Sequence, residues 1–223
     1  MKFLIADTSS SVCGVGVFDD DRCLSKNELD NGRTHSENFM PLIEKSLSEA
    51  GLKLDDIECL GVVTGPGSFT GIRIGVASCK AMAEVAGIKM VSAISLDSLA
   101  ANGVGEASVI CSLIDARNDQ VYCGIFDGDV NRLEDYLADD INVVLDVLKK
   151  YDDIVFVGDG SVVHHDLICE SFKDKKISFC ENNKQNVDSL WKIVNKKAKA
   201  GDFTDVDELI PVYLRKSQAE RNK

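Results

Sequence analysis

The segment Gly65-Pro66-Gly67-Ser68-Phe69-Thr70-Gly71 constrains this chain more than any other. It follows an apolar run, Leu60 to Val63, and precedes Ile72-Arg73-Ile74-Gly75, where residues take up helical spacing. Glycines here let a strand turn sharply into a helix, and they remove side chains where another group approaches the backbone. The string matches neither common phosphate motif. The dinucleotide fingerprint has two residues between its last glycines, whereas three separate Gly67 from Gly71. A Walker loop needs Gly-Lys-Ser/Thr, and Ile72 follows Gly71. A tight strand-to-helix turn is the first reading of these residues and a nucleotide cradle the second.

Strands are predicted at 3–6, 12–18 and 23–27, the last two joined by the turn Asp19-Asp20-Asp21. Thr34 and Glu37 have the form of a capping box, and behind them Phe39, Ile43 and Leu47 recur every four residues in a helix that Gly51 ends. Pro41 inside that pattern predicts a kink or a delayed start. A strand at 60–64, a helix at 70–86 stopped by Gly87, a strand at 89–93 and a short helix at 95–101 follow. A second round then begins, with strands at 108–114 and 120–126 around the turn Asp115 to Asp119. Residues 127–140 read as a loop-rich excursion, followed by helix at 141–149, strand at 154–157 and helices at 162–172 and 187–200. The expected architecture is α/β in two related domains, 1–102 and 103–223, linked at Gly103 and Gly105, with the terminal tail packing back on the first.

A chain of 223 residues, 44% of them hydrophobic, can bury one large core or two small ones. The apolar run at 3–6 meets Asp7 at once and is too short for a signal peptide. No stretch approaches the roughly 18 apolar residues of a membrane helix, so a cytoplasmic protein without a membrane partner is expected. Cys13, Cys23, Cys59, Cys79, Cys111, Cys123, Cys169 and Cys180 include no C-x-x-C pair and read as buried free thiols, not as metal ligands or disulfides. The adjacent side chains of His164 and His165 diverge and read as a surface pair. A net charge of −12 opposes strong binding of a nucleic acid by the chain alone. Basic residues nevertheless gather late, at Lys173, Lys175, Lys176, Lys184, Lys192, Lys196, Lys197 and Lys199, ahead of Arg215, Lys216, Arg221 and Lys223. They are the solvated face of a helix or a local patch for an anionic partner.

The glycine turn, Asp7-Thr8-Ser9-Ser10, Asp115-Ala116-Arg117 and Pro211-Val212-Tyr213-Leu214-Arg215 together resemble the TsaB (YeaZ) family, over nearly the whole chain. Those proteins are non-catalytic subunits of the bacterial machine that makes threonylcarbamoyladenosine in tRNA. The layout is that of an actin-like ATPase (ASKHA) fold, and Asp7, Thr8, Ser9 and Ser10 look like its first phosphate loop. The sequence departs from that pattern: no glycine separates Asp7 from Thr8, and Arg117 and Asn118 stand where the second loop usually has glycines. Asp7 and Asp115 therefore either cap turns at strand ends or hold a nucleotide.

The resemblance also implies where chemistry is missing. The related catalytic subunit, TsaD, binds its metal through His-x-x-x-His on a helix, and the matching positions here are Leu96 and Ala100. No catalytic residue and no metal ligand is therefore expected, and His35 reads as a capping or surface residue. The helix at 70–86 is apolar nearly all round, which suits a buried core helix or one covered by another chain. In the family the equivalent helices pair with TsaD, and in its absence with a second TsaB. The implied interface residues are Phe39, Met40, Ile43 and Leu47 on one helix and Ile74, Ala77, Ser78 and Met82 on the other.

The implied function is a scaffold for TsaD, with a TsaE ATPase as a further partner, a homodimer when alone, and tRNA met only through the complex. No cofactor is required, and ATP or ADP with magnesium has a place only at a complex interface. Two other classes stand beside this reading. A small actin-like ATPase or kinase would turn over ATP, and a glycoprotease-like peptidase would cleave a glycoprotein.

Overall fold

The computed structural model describes residues 1–30 and 34–215. The strands are β1 (Lys2–Asp7), β2 (Cys13–Asp19), β3 (Arg22–Leu29), β4 (Cys59–Gly65), β5 (Lys89–Ile94), β6 (Val109–Asp115), β7 (Gln120–Asp127), β8 (Leu137–Asp140), β9 (Asp153–Val157) and β10 (Lys176–Phe179). The helices are α1 (His35–Ala50), α2 (Phe69–Ala86), α3 (Ser95–Ala100), α4 (Ile141–Leu148), α5 (Asp159–Val163), α6 (His165–Ser171) and α7 (Val187–Lys199).

The chain forms two compact units. Met1–Ser98 with Gln185–Val212 make the first, and Leu99–Lys184 with residues 213–215 make the second. The first sheet runs β3-β2-β1-β4-β5 and the second β8-β7-β6-β9-β10. In each, the first three strands are antiparallel and the last two run parallel to the strand at the centre. The two halves are thus the same unit, strand for strand.

Side-chain alternation gives the first sheet two buried faces. Cys13, Val15 and Val17 point towards α1 and α2, whose Phe39, Leu42, Ile43, Leu47, Ile72, Val76, Cys79 and Ala83 complete that core. The opposite face carries Gly14, Gly16 and Gly61, and α7 lies there. A Cβ at Gly14 would stand 2.9 Å from Val187 and one at Gly61 would stand 2.6 Å from Val194, so these glycines form a seat for the helix. Trp191 stacks on Phe18 beside that seat, ring centroids 5.1 Å apart.

Several expectations need correcting. The division falls after Ser98 rather than after residue 102, and α7, expected in the second domain, completes the first because its apolar side chains cover the glycine face. Residues 127–140 end in a strand, β8, held by pairing to Val121, Tyr122 and Cys123 rather than by its own composition. Lys176–Phe179, left unassigned by sequence, alternates exposed and half-buried residues as an edge strand does. The helix expected at 162–172 starts at Asp159 and breaks at His164. Pro41 does not delay α1, which starts at His35 behind the Thr34–Glu37 capping box.

Candidate functional site

The glycine-rich turn packs against the β1–β2 loop. Thr8 Oγ1 donates to the Gly71 carbonyl at 2.7 Å, and the Ser68 amide donates to the Ser9 carbonyl at 2.7 Å. Any Cβ at Gly67 would collide with the Ser9 carbonyl, at Gly71 with the Thr8 carbonyl, and at Gly75 with Thr8 Oγ1. The group approaching the glycines is therefore the chain's own loop. His35, expected at the surface or as a cap, is half-buried, and its Nε2 donates to the Ser10 carbonyl at 2.8 Å.

Asp7, Thr8 and Ser9 are buried and Ser10 half-buried. Asp7 Oδ1 accepts the Ser9 amide at 2.7 Å, and Ser10 Oγ accepts that of Val12 at 3.1 Å. Burial pushes the Asp7 carboxyl above its ordinary value, while Ser9 and the neighbouring His35 favour the ionised form. A phosphate-binding turn needs free amides. Here the Ser9, Val12 and Ser68 amides already have protein acceptors, and the Thr8 and Ser9 carbonyls stand against the glycines.

The second unit repeats the device. The Arg117 amide donates to Asp115 Oδ1 at 2.8 Å, and the Asp115 amide to Asp159 Oδ1 at 3.0 Å. Arg117, Asn118 and Asp119 all take positive φ, at 64°, 53° and 57°. Gly158-Asp159-Gly160-Ser161 corresponds to Gly65-Pro66-Gly67-Ser68, and a Cβ at Gly158 would strike the Leu113 carbonyl. Sequence reasoning missed this second glycine turn, although the Gly-x-Gly-Ser pattern is repeated. Desolvation raises the Asp159 carboxyl as well, although this side chain stays exposed where Asp7 is buried.

The implied interface residues divide. Phe39, Ile43 and Leu47 are buried in the first unit's own core, as is Leu42, so these three do not present a surface to a partner. They belong to the stripe that holds α1 on the sheet. Met40 is 44% exposed. On α2, Ile74, Ser78 and Met82 are half-buried, whereas Ala77, Ala81 and Val85 are exposed, Val85 at 87%. Residues 74, 77, 78, 81 and 85 form one stripe on a helix of 3.6 residues per turn.

Leu96 and Ala100 are fully buried. His164 is buried too, contrary to a surface pair, at the break between α5 and α6; exposed His165 packs on Phe179 with ring centroids 4.4 Å apart. Cys23 is exposed and Cys169 half-buried, and the other six cysteines are buried and free. Lys175, Lys176, Lys197 and Lys199 each face an acid, namely Asp152, Asp153, Asp202 and Asp21. Lys216, Arg221 and Lys223 lie outside the described residues. No helix among the described residues is long and apolar enough to cross a membrane.

Comparison with known proteins follows the same lines. The family model described as "TsaD: tRNA N6-adenosine threonylcarbamoyltransferase" matches residues 29–223. The tRNA threonylcarbamoyladenosine biosynthesis protein TsaB of Bacillus subtilis is 30% identical, over 99% of this chain and 96% of its own. The protein of the same name from Escherichia coli is 32% identical over 59% of this chain and 57% of its own. The solved structure of YeaZ from Pseudomonas aeruginosa superposes with a TM-score of 0.82 at 22% identity, covering 96% of this chain and 99% of that one. A ROK hexokinase from Thermus thermophilus shares the fold more distantly, with a TM-score of 0.57 at 12% identity over 90% of this chain and all of its own. The fold is the actin-like α/β fold expected from sequence, and the chain belongs to the TsaB family of tRNA threonylcarbamoyladenosine biosynthesis proteins.

Proposed function

We propose that this chain serves threonylcarbamoyladenosine formation in tRNA as a non-catalytic scaffold that binds the catalytic TsaD subunit. The observation that carries this reading is the stripe of small apolar residues that α2 exposes beside its buried face, Ala77, Ala81 and Val85 flanked by Ile74, Ser78 and Met82. Small side chains let a second helix approach closely, and flexible Met82 and Met40 adapt to it. Alone, the same stripe pairs with a second copy. TsaE and tRNA join through the complex. The chain needs no cofactor of its own, and any ATP or ADP with magnesium sits at an interface with a partner.

Ala77→Glu tests this reading. Residue 77 is exposed, so a carboxylate there is solvated in the free chain and desolvated in a helix-to-helix contact, at a cost of about 3 kcal/mol or more. The melting temperature should hardly change, while association with TsaD, followed by gel filtration and calorimetry, should be lost. Undiminished association would move the interface elsewhere.

A further inference from the structure

The helix that covers the glycine face of the first sheet turns a row of lysines to solvent. Val187 and Val194 of α7 lie on Gly14, Gly16 and Gly61, whereas Lys192, Lys196 and Lys199 are exposed. At 3.6 residues per turn the three lysines fall within an arc of about 60° and extend along about 10 Å of helix.

The fold itself does not call for this row. Basic residues in a last turn suit the negative end of the helix dipole, which accounts for Lys196 and Lys199. Lys192 is mid-helix, beyond that effect, and has no hydrogen bond or ion pair among the described residues. Four residues separate Lys192 from Lys196 and three separate Lys196 from Lys199, so like charges repel along the row. Acids stand only at its two ends. Asp188 is held by Lys26 at 2.6 Å, and Asp21 lies 3.3 Å from Lys199.

We propose that Lys192, Lys196 and Lys199 contact the phosphate backbone of tRNA in the assembled complex. The inference rests on the reading that the chain works bound to TsaD, and it assigns the RNA to a surface of its own. α1 and α2, which carry the proposed docking face, lie on one side of the first sheet and α7 on the other, so the row stays open when TsaD is docked. Ammonium groups on flexible stems meet phosphates without regard to base sequence, and such contacts fix orientation. A net charge of −12 opposes capture of RNA by the chain alone. The row therefore orients a tRNA that the rest of the complex retains.

The test is a chain carrying Lys192→Gln, Lys196→Gln and Lys199→Gln together, since glutamine keeps helix propensity at exposed positions. Complexes of TsaD with the parent or variant chain are titrated with an unmodified tRNA transcript over a range of salt. Affinity should fall about tenfold at about 0.1 M salt, and the slope of log affinity on log salt should lessen by about 2. Lys53→Gln, Lys149→Gln and Lys150→Gln together make the same change of net charge elsewhere and should have little effect. Equal losses in the two triple variants, or none in the α7 variant, would overturn the proposal. Loss of TsaD association, with unchanged tRNA affinity in the complex that remains, would make the row a protein contact and overturn it too. Should Ala77→Glu leave association intact, the docking face falls, but the complex still forms and the titration still decides. Should the chain not associate with TsaD at all, retention of the transcript by the chain alone at about 0.01 M salt decides. Retention by the parent and not by the α7 variant would support the row, and retention by neither would overturn it.

Discussion

The carbonyl oxygen of Thr8 occupies the space into which residue 71 would project a Cβ. His35 Cδ2 crowds the same point at 2.8 Å. Gly71→Ala must therefore push the β1–β2 loop away from the start of α2, and the obstruction is backbone, which yields poorly. The expected loss is about 3 kcal/mol. Gly51→Ala, where no atom lies within 4 Å, involves only the left-handed backbone of a helix end and should cost about 1–2 kcal/mol. Urea denaturation of the two variants makes the comparison, and equal losses would contradict the packing described.

Asp7 gives a pH dependence of defined sign. Burial raises its folded-state carboxyl above the unfolded value, so the folded chain holds this proton where the unfolded chain has lost it. The Asp7 contribution to stability is therefore fully present below the unfolded value and falls away as pH rises through the folded one. Asp7→Asn removes that titration. Relative to Asp7→Asn, the parent chain should gain stability as pH is lowered from neutral towards 4. Urea midpoints of both proteins across that range decide it, and parallel curves would refute the assignment.

Thiol chemistry should follow burial. Exposed Cys23 and half-buried Cys169 are expected to react with a disulfide reagent in the native protein. Burial pushes the Cys13 thiol up to about 11 and that of Cys59 up to about 12, and raises Cys79, so these stay unreactive until denaturant opens the core. Mass spectrometry after timed labelling reads the order directly. Early modification of Cys79 would be inconsistent with its place between α2 and the sheet.

The glycine seat beneath α7 can be filled deliberately. Gly61→Val adds a side chain where Val194 and Ile5 already lie within 3 Å of a Cβ position. A loss of about 2–3 kcal/mol is expected, with a shift in the emission of Trp191 as the helix lifts its ring from Phe18. Tryptophan fluorescence and thermal unfolding should shift together, and a change in neither would place α7 elsewhere.

Most of the fold was legible because it rests on local signals. The capping box at Thr34 and Glu37, Gly51 and Gly87 closing α1 and α2, and the apolar run of β4 each act within one turn or one strand. What escaped depends on distant partners. The four residues of β8 have no apolar pattern and exist as a strand only through β7. Gly14, Gly16 and Gly61 look like weaknesses in their strands until α7 is laid over them. At the site, Asp7 to Ser10 were recognisable as a special turn. His35 was not, since its bond to the Ser10 carbonyl spans 25 residues. Phe39, Ile43 and Leu47 were misplaced at the interface because an apolar stripe does not say whether its own sheet or another chain covers it.

The return of α7 to the first unit has a consequence for synthesis. The first unit is split in sequence, Met1–Ser98 and Gln185–Val212, while nearly all of the second is one stretch, Leu99–Lys184. A ribosome makes that stretch complete before it supplies the helix that the first sheet requires. During this interval the glycine face of β1, β2 and β4 is uncovered, and domains otherwise tend to fold from the N-terminus onward. The half that is made first is finished last, so the nascent chain needs protection on a β-sheet face that the mature protein never exposes.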